Sequence, residues 1–74
     1  MMTLYDLKNG EKAVIISLDN LKIKSRLEKL GFYSGVKVLV VRKALFNGAI
    51  QIRFRNFSLA LRKETAKKII VKIW

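Results

Sequence analysis

Residues 50–55 read Ile-Gln-Ile-Arg-Phe-Arg and alternate between apolar and polar side chains along their whole length. Because successive side chains of a β-strand point to opposite faces of a sheet, this period of two predicts a strand that is buried on one face. The apolar side chains then face the core, and Gln51, Arg53 and Arg55 face outward. Asn56 tolerates a positive φ and is expected to turn the chain after the strand.

The strands on either side are predicted by similar patterns. Asn47-Gly48 is a strong hairpin signal, and it joins the strand at 50–55 to a valine-rich strand that precedes it. Apolar and β-branched runs predict further strands at 13–18, 36–41, 58–62 and 69–73. Single helical turns are expected at 3–7, where Thr3 and Asp6 have the spacing of a capping box, and at 63–66.

One short helix is predicted between the first two strands. Three apolar residues recur there at helical spacing, namely Ile23, Leu27 and Leu30. Asp19 or Asn20 is expected to cap the start of the helix. Gly31 can adopt the left-handed conformation that ends a helix, and Phe32 would then contact Leu27 in a Schellman motif.

These elements predict one mainly β domain over residues 1–74. The best match is a small SH3-like β-barrel of about five strands with one short α-helix after the first strand, and an OB-like barrel is the alternative. The chain of 74 residues has room for one domain only. No stretch approaches the roughly 20 apolar residues that span a bilayer, and the start of the chain does not resemble a signal peptide, so a cytoplasmic location is expected.

The composition limits the chemistry that the chain can perform. It contains 16 lysines and arginines against 5 acids, a formal net charge of +11, and neither cysteine nor histidine. Disulfides, thiolate or imidazole metal sites and the usual nucleophile–base pairs are therefore excluded. The acids are dispersed, and no phosphate-binding glycine loop is present. We predict no catalytic residue, no metal site and no cofactor.

The net charge makes polyanions the natural partners, although basicity can also serve solubility alone. Nucleic acid, anionic lipid and an acidic protein face all remain open. The outward residues Gln51, Arg53 and Arg55, with Lys37 and Arg42 on the neighbouring strand, could bind RNA without sequence preference. This basic face is the basis of the alternative function, a small barrel that binds nucleic acid.

Several motifs together resemble the FeoA family. They are Leu4-x-x-Leu7-x-x-Gly10, Leu27-x-x-Leu30-Gly31-Phe32, Gly35-x-x-Val38, and Leu59-Ala60-Leu61-Arg62 followed by Glu64 and Ala66. The likeness extends from Leu4 to Ile73, with the elements in the family's order. Two departures are residues 44–48, which lack the family's frequent Pro and Gly, and Asn56, where the family often has Gly.

The resemblance implies an SH3-like accessory protein of ferrous iron uptake that binds the cytosolic part of the FeoB-type GTPase transporter. It also implies weak self-association. The net charge, separately, makes a peripheral position at the inner face of the membrane an option. Grooves of SH3-like barrels are often lined by aromatic residues and lie between loops. The candidate partner-binding residues are Tyr33, Leu45, Phe46, Arg53, Arg55 and Arg62.

Overall fold

A computed structural model describes residues 1–43 and 48–74, and the predicted contact residues Leu45 and Phe46 lie outside these ranges, as does Asn47 of the hairpin signal. A single 3₁₀ turn at Leu4–Asp6 precedes seven elements. In chain order these are β1 (Lys12–Ser17), α1 (Lys24–Lys29), β2 (Lys37–Lys43), β3 (Ile50–Phe54), β4 (Phe57–Leu61), α2 (Lys63–Ala66) and β5 (Ile70–Ile73). The predicted five strands, the helix after the first strand and the helical turn at 63–66 are confirmed.

All five strands belong to one antiparallel sheet with the order β4-β3-β2-β1-β5. Within the described residues no ladder joins β4 to β5, so hydrogen bonds between these two strands do not close the sheet. The start of the chain covers the edge of β5, because Leu4 N–H donates to Ile69 O at 2.8 Å and Val71 N–H donates to Met2 O at 3.0 Å. Residues 69–71 of this edge are therefore already paired and are not free to template pairing with another chain.

One face of the sheet covers a single apolar core. Alternate residues of β3 are buried, as the sequence predicts, and the core also receives Leu4 and Leu7 from the first turn. The predicted capping box is present there, with Thr3 N–H donating to Asp6 Oδ2 at 2.8 Å. Ile73, the last residue of the short strand β5, is 48% exposed.

The end of α1 follows the prediction, and its start does not. Phe32 N–H donates to Leu27 O at 3.0 Å and Gly31 has φ +94°, which together form the predicted Schellman ending. The helix begins only at Lys24, and Asp19 pairs with the Lys24 ammonium at 2.7 Å instead of capping a longer helix. Leu30, predicted on the core face, is 42% exposed because the helix has already ended there.

Candidate functional site

Arg55 occupies the tight turn between β3 and β4. Phe54 pairs with Phe57 across the ladder, so Arg55 and Asn56 are the two central residues of a two-residue hairpin. Hairpin turns of this length require a positive φ at the first central residue. Arg55 therefore has φ 53°, and the prediction that Asn56 takes the positive φ is wrong. A non-glycine residue in this conformation carries backbone strain, which is often found at functional sites.

Tyr33 fixes the Arg55 side chain. It lies in the loop between α1 and β2, and the Arg55 guanidinium donates from Nη2 to Tyr33 Oη at 2.7 Å. The guanidinium carbon also lies 5.4 Å from the centre of the Tyr33 ring. A Cβ on Gly31 would stand 3.3 Å from Arg55 Nη1, so the glycine that ends α1 also leaves room for the guanidinium. Two of the predicted contact residues, 22 positions apart, thus form one unit.

A groove of about 470 Å³ lies beside this pair, lined by Tyr33, Ser34, Gly35, Val36, Lys37 and Arg55. We call it the Tyr33 groove. Its loop is attached to β1, since Ser34 Oγ donates to Ile16 O at 2.9 Å and Gly35 N–H donates to Ile15 O at 2.7 Å. The groove is therefore supported by the rigid sheet, while Tyr33 remains 39% exposed.

Lys37 connects the groove to an exposed tryptophan. Its ammonium lies 4.0 Å from the centre of the Trp74 ring, and that of Lys12 lies 5.1 Å away. Trp74 is 57% exposed. The sequence did not single out Trp74 as a partner-binding residue. The contact with Lys37 depends on the pairing of β1 with both β2 and β5.

The remaining predicted contact residues are exposed but separate from the groove. Arg53 faces outward from β3, opposite Leu39 on β2 and Ser58 on β4. Arg62 precedes α2, where its backbone carbonyl accepts a hydrogen bond from Ala66 N–H at 2.9 Å. The Tyr33 groove therefore combines Tyr33 with Arg55 and does not include Arg53 or Arg62.

The charges of the domain are segregated. None of the five acids lies in a strand, whereas the strands carry Lys12, Lys37, Arg42, Lys43, Arg53 and Lys72. Lys24 and Asp19 form the one ion pair among the described residues, and this hydrogen bond lowers the pKa of Asp19. The pKa of Asp6 is lowered chiefly by the hydrogen bond that its carboxylate accepts from the Thr3 backbone N–H. Lys43 donates from its ammonium to Tyr5 O, and the other cations of the strands are exposed and available to an external anion.

Two further classes of feature are absent from residues 1–43 and 48–74. No group of three or more acidic, histidine or cysteine side chains is close enough to hold a metal ion. In the same residues no helix is long and apolar enough to cross a membrane.

Two curated relatives are similar to almost the whole chain. The Fe(2+) transport protein A of Campylobacter jejuni is 34% identical over 73 residues, which cover 97% of this chain and 99% of that protein. A fusion protein of Fe(2+) transport protein A with the Fe(2+) transporter FeoB, from Porphyromonas gingivalis, is 30% identical. The match with this fusion again covers 97% of this chain but only 9% of the fusion protein.

Solved structures agree with the fold. The solution structure of FeoA from Chlorobium tepidum has a TM-score of 0.90 at 32% identity, covering 97% of this chain and 70% of that one. The crystal structure of Stenotrophomonas maltophilia FeoA complexed with zinc, described as a prokaryotic SH3 domain protein, has a TM-score of 0.80 at 32% identity, with 97% and 91% covered. The predicted SH3-like fold is confirmed. Because the model of the FeoA domain also matches residues 2–73, the chain belongs to the FeoA family, whose members are accessory proteins of ferrous iron transport.

Proposed function

We propose that this protein assists ferrous iron uptake by binding the cytosolic part of a FeoB-type transporter through the Tyr33 groove. The observation that carries the proposal is the Porphyromonas gingivalis fusion, in which a relative of this domain and FeoB share one polypeptide. Domains that are fused in one organism commonly interact as separate chains in another. Such an interaction needs a binding surface on the FeoA domain.

The Tyr33 groove has the properties expected of such a surface. Tyrosine and arginine are enriched among the residues that contribute most to protein–protein binding. The Arg55 side chain is already ordered by the Tyr33 hydroxyl at 2.7 Å, so less conformational entropy is lost when it binds. The backbone of Arg55, at φ 53°, lies in the left-handed region that residues other than glycine rarely adopt, and strain of this kind is often found at functional sites.

The test measures binding of the purified protein to the full-length transporter of the same organism, held in nanodiscs of neutral lipid. Neutral lipid removes electrostatic attraction to the bilayer, so the signal reports the protein contact. Arg55→Gln is expected to weaken binding at least about tenfold, the usual loss for a central contact residue. Tyr33→Phe, which removes only the hydroxyl that holds Arg55, is expected to weaken it by a smaller factor.

Arg26→Gln is the matched control, because it removes one exposed arginine of α1 that does not line the groove. Its affinity is expected to stay within about twofold of the parent. Equal losses for Arg55→Gln and Arg26→Gln would show that net charge alone drives association. Binding to single-stranded RNA that falls steeply with salt, without binding to the transporter, would favour the nucleic-acid function instead.

A further inference from the structure

The face of the sheet that is turned away from the core is ordered in two rows. The strand registers define these two rows, and we call the two rows together the outer sheet face. The first row runs through Lys12, Leu39, Arg53 and Ser58, and the second through Lys72, Val14 and Lys37. Trp74 extends the first row, since its backbone N–H donates to Lys12 O at 3.2 Å.

Cations and apolar side chains alternate on this face in both directions. Along β1, Lys12 is followed on the same face by Val14, and along β2, Lys37 is followed by Leu39. Across the strands, Val14 lies between Lys37 and Lys72. Strands are about 4.8 Å apart, so cations in one row are separated by about 10 Å with an apolar side chain between them.

The apolar side chains of this pattern are accessible to solvent. Val14 and Leu39 are half-buried, and Ile16, the next outward residue of β1, is 47% exposed. No strand contributes an acidic side chain to the face, because all five acids lie outside the strands. The surface therefore offers positive charge and apolar contact at the same time, and its strands carry no carboxylate side chain that would repel an anionic partner.

We propose that the outer sheet face docks onto the surface of an anionic lipid bilayer. Lysine and arginine can keep their charged groups at the level of lipid phosphates while their aliphatic stems lie along apolar surface. Tryptophan favours the membrane–water interface, and each basic side chain near an anionic surface adds attraction. A bilayer uses the cations, the aliphatic residues and Trp74 of this face together.

A polynucleotide fits the same face less well. Proteins that bind single strands use aromatic rings on which successive bases stack. In the described part of the outer sheet face Trp74 is the one aromatic ring, and the ammonium groups of Lys12 and Lys37 already lie 5.1 and 4.0 Å from its centre. RNA binding is accordingly kept as an alternative outcome of the test.

Trp74 supplies the readout, because it is the single tryptophan of the chain. The intact protein is titrated with vesicles of pure phosphatidylcholine and with vesicles that contain about one-third phosphatidylglycerol. A blue shift of the Trp74 emission with the anionic vesicles, in physiological salt, and its absence with the neutral vesicles are expected. Inorganic phosphate and a mixed single-stranded RNA form two further arms, to separate a bilayer from free phosphate and from nucleic acid.

Variants identify the face that binds. Lys12→Gln/Lys72→Gln removes two cations of the outer sheet face and is expected to weaken vesicle binding about 30-fold, since each basic residue contributes about fivefold. Lys29→Gln/Lys68→Gln is the control, because it removes the same charge from exposed positions in α1 and after α2, outside the sheet. The control is expected to change vesicle binding by less than about fivefold, the contribution of a single contacting cation.

The proposal is overturned if anionic vesicles leave the Trp74 emission unchanged, if both double variants lose binding equally, or if RNA or free phosphate reproduces the shift. These vesicles contain no transporter, so the result is independent of the Tyr33 groove. A protein that binds the transporter in neutral nanodiscs but not anionic vesicles would retain the proposed function and lose this inference. A protein that binds anionic vesicles but not the transporter would retain this inference and lose the proposed function.

Discussion

Replacing Arg55 by glycine is expected to leave the fold about as stable as before. Arg55 has φ 53° in the β3–β4 turn, and an L-residue in the left-handed region costs about 1–2 kcal/mol that glycine avoids. Glycine also lowers the free energy of unfolding by about 0.5–1 kcal/mol, because it gives the unfolded chain greater conformational freedom. The exposed contact with Tyr33 contributes roughly another 0.5 kcal/mol. These terms nearly cancel, so the free energy of unfolding should stay within about 1 kcal/mol of the parent value.

Arg53→Gly is the control for this prediction. Arg53 is also an exposed arginine of the same hairpin, but it lies in the extended backbone of β3 between Leu39 and Ser58. Glycine there brings the same entropy cost, relieves no strain and loses the cross-strand contacts, a total of about 1–2 kcal/mol. For a domain of this size that corresponds to a Tm lower by roughly 5–10 °C.

Urea titration and thermal melts followed by circular dichroism measure both variants against the parent. Arg55→Gly is expected to be more stable than Arg53→Gly by about 1 kcal/mol or more. If the two variants lose the same stability, Arg55 carries no backbone strain and its conformation gives no support to a role in binding. A stable Arg55→Gly that no longer binds the transporter would separate the function of this residue from folding.

Two further predictions concern stability. Phe32→Ala removes a fully buried ring whose centre lies 5.0 Å from that of Phe54, and it should lower the free energy of unfolding by about 3–5 kcal/mol. This is a large part of the roughly 4–11 kcal/mol expected for the whole domain. Phe57→Ala, at a half-exposed ring, is the control in the same urea titration, and an equal or larger loss for it would contradict the prediction. Asp6→Asn should lower the Tm at pH 7, since the Thr3 N–H lowers the folded-state pKa of this carboxyl and its stabilising effect is present above the unfolded pKa. The difference from the parent should shrink as the pH falls below 3.8, the ordinary pKa of an aspartate carboxyl. A difference that is constant across melts at pH 2–7 would show that the ionised carboxylate is not responsible.

The sequence predicted the elements whose signals are local. The strict alternation over β3 and the glycine that ends α1 both specify structure within a few residues, and both predictions are correct. The predicted start of α1 is wrong because the Asp19 side chain can either cap a helix or pair with a nearby lysine. Its contact with Lys24 at 2.7 Å is the option that the fold adopts. A capping signal alone does not distinguish between them.

The candidate site depended on information that local patterns lack. Tyr33 and Arg55 were each predicted as contact residues, but their hydrogen bond requires the loop after α1 to reach the β3–β4 turn. Which residue of that turn takes the positive φ depends on the pairing of Phe54 with Phe57, a shift of one residue from the predicted end of the strand. The rows of the outer sheet face likewise follow from registers, and β-bulges in two of the ladders change those registers.

The two proposed surfaces meet at Lys37. This residue lines the Tyr33 groove with Arg55, and it also lies in the second row of the outer sheet face with its ammonium 4.0 Å from the Trp74 ring. A bilayer against the outer sheet face would therefore hold the groove at the edge of the headgroup region, on a domain that measures only 28 × 26 × 24 Å. Confinement to the membrane raises the effective concentration of a surface near its partner without any new contact. On a domain held at the membrane in this way, even a low affinity of the Tyr33 groove would be sufficient for binding to a membrane transporter. The excess of positive charge would then support transporter binding by holding the domain at the bilayer.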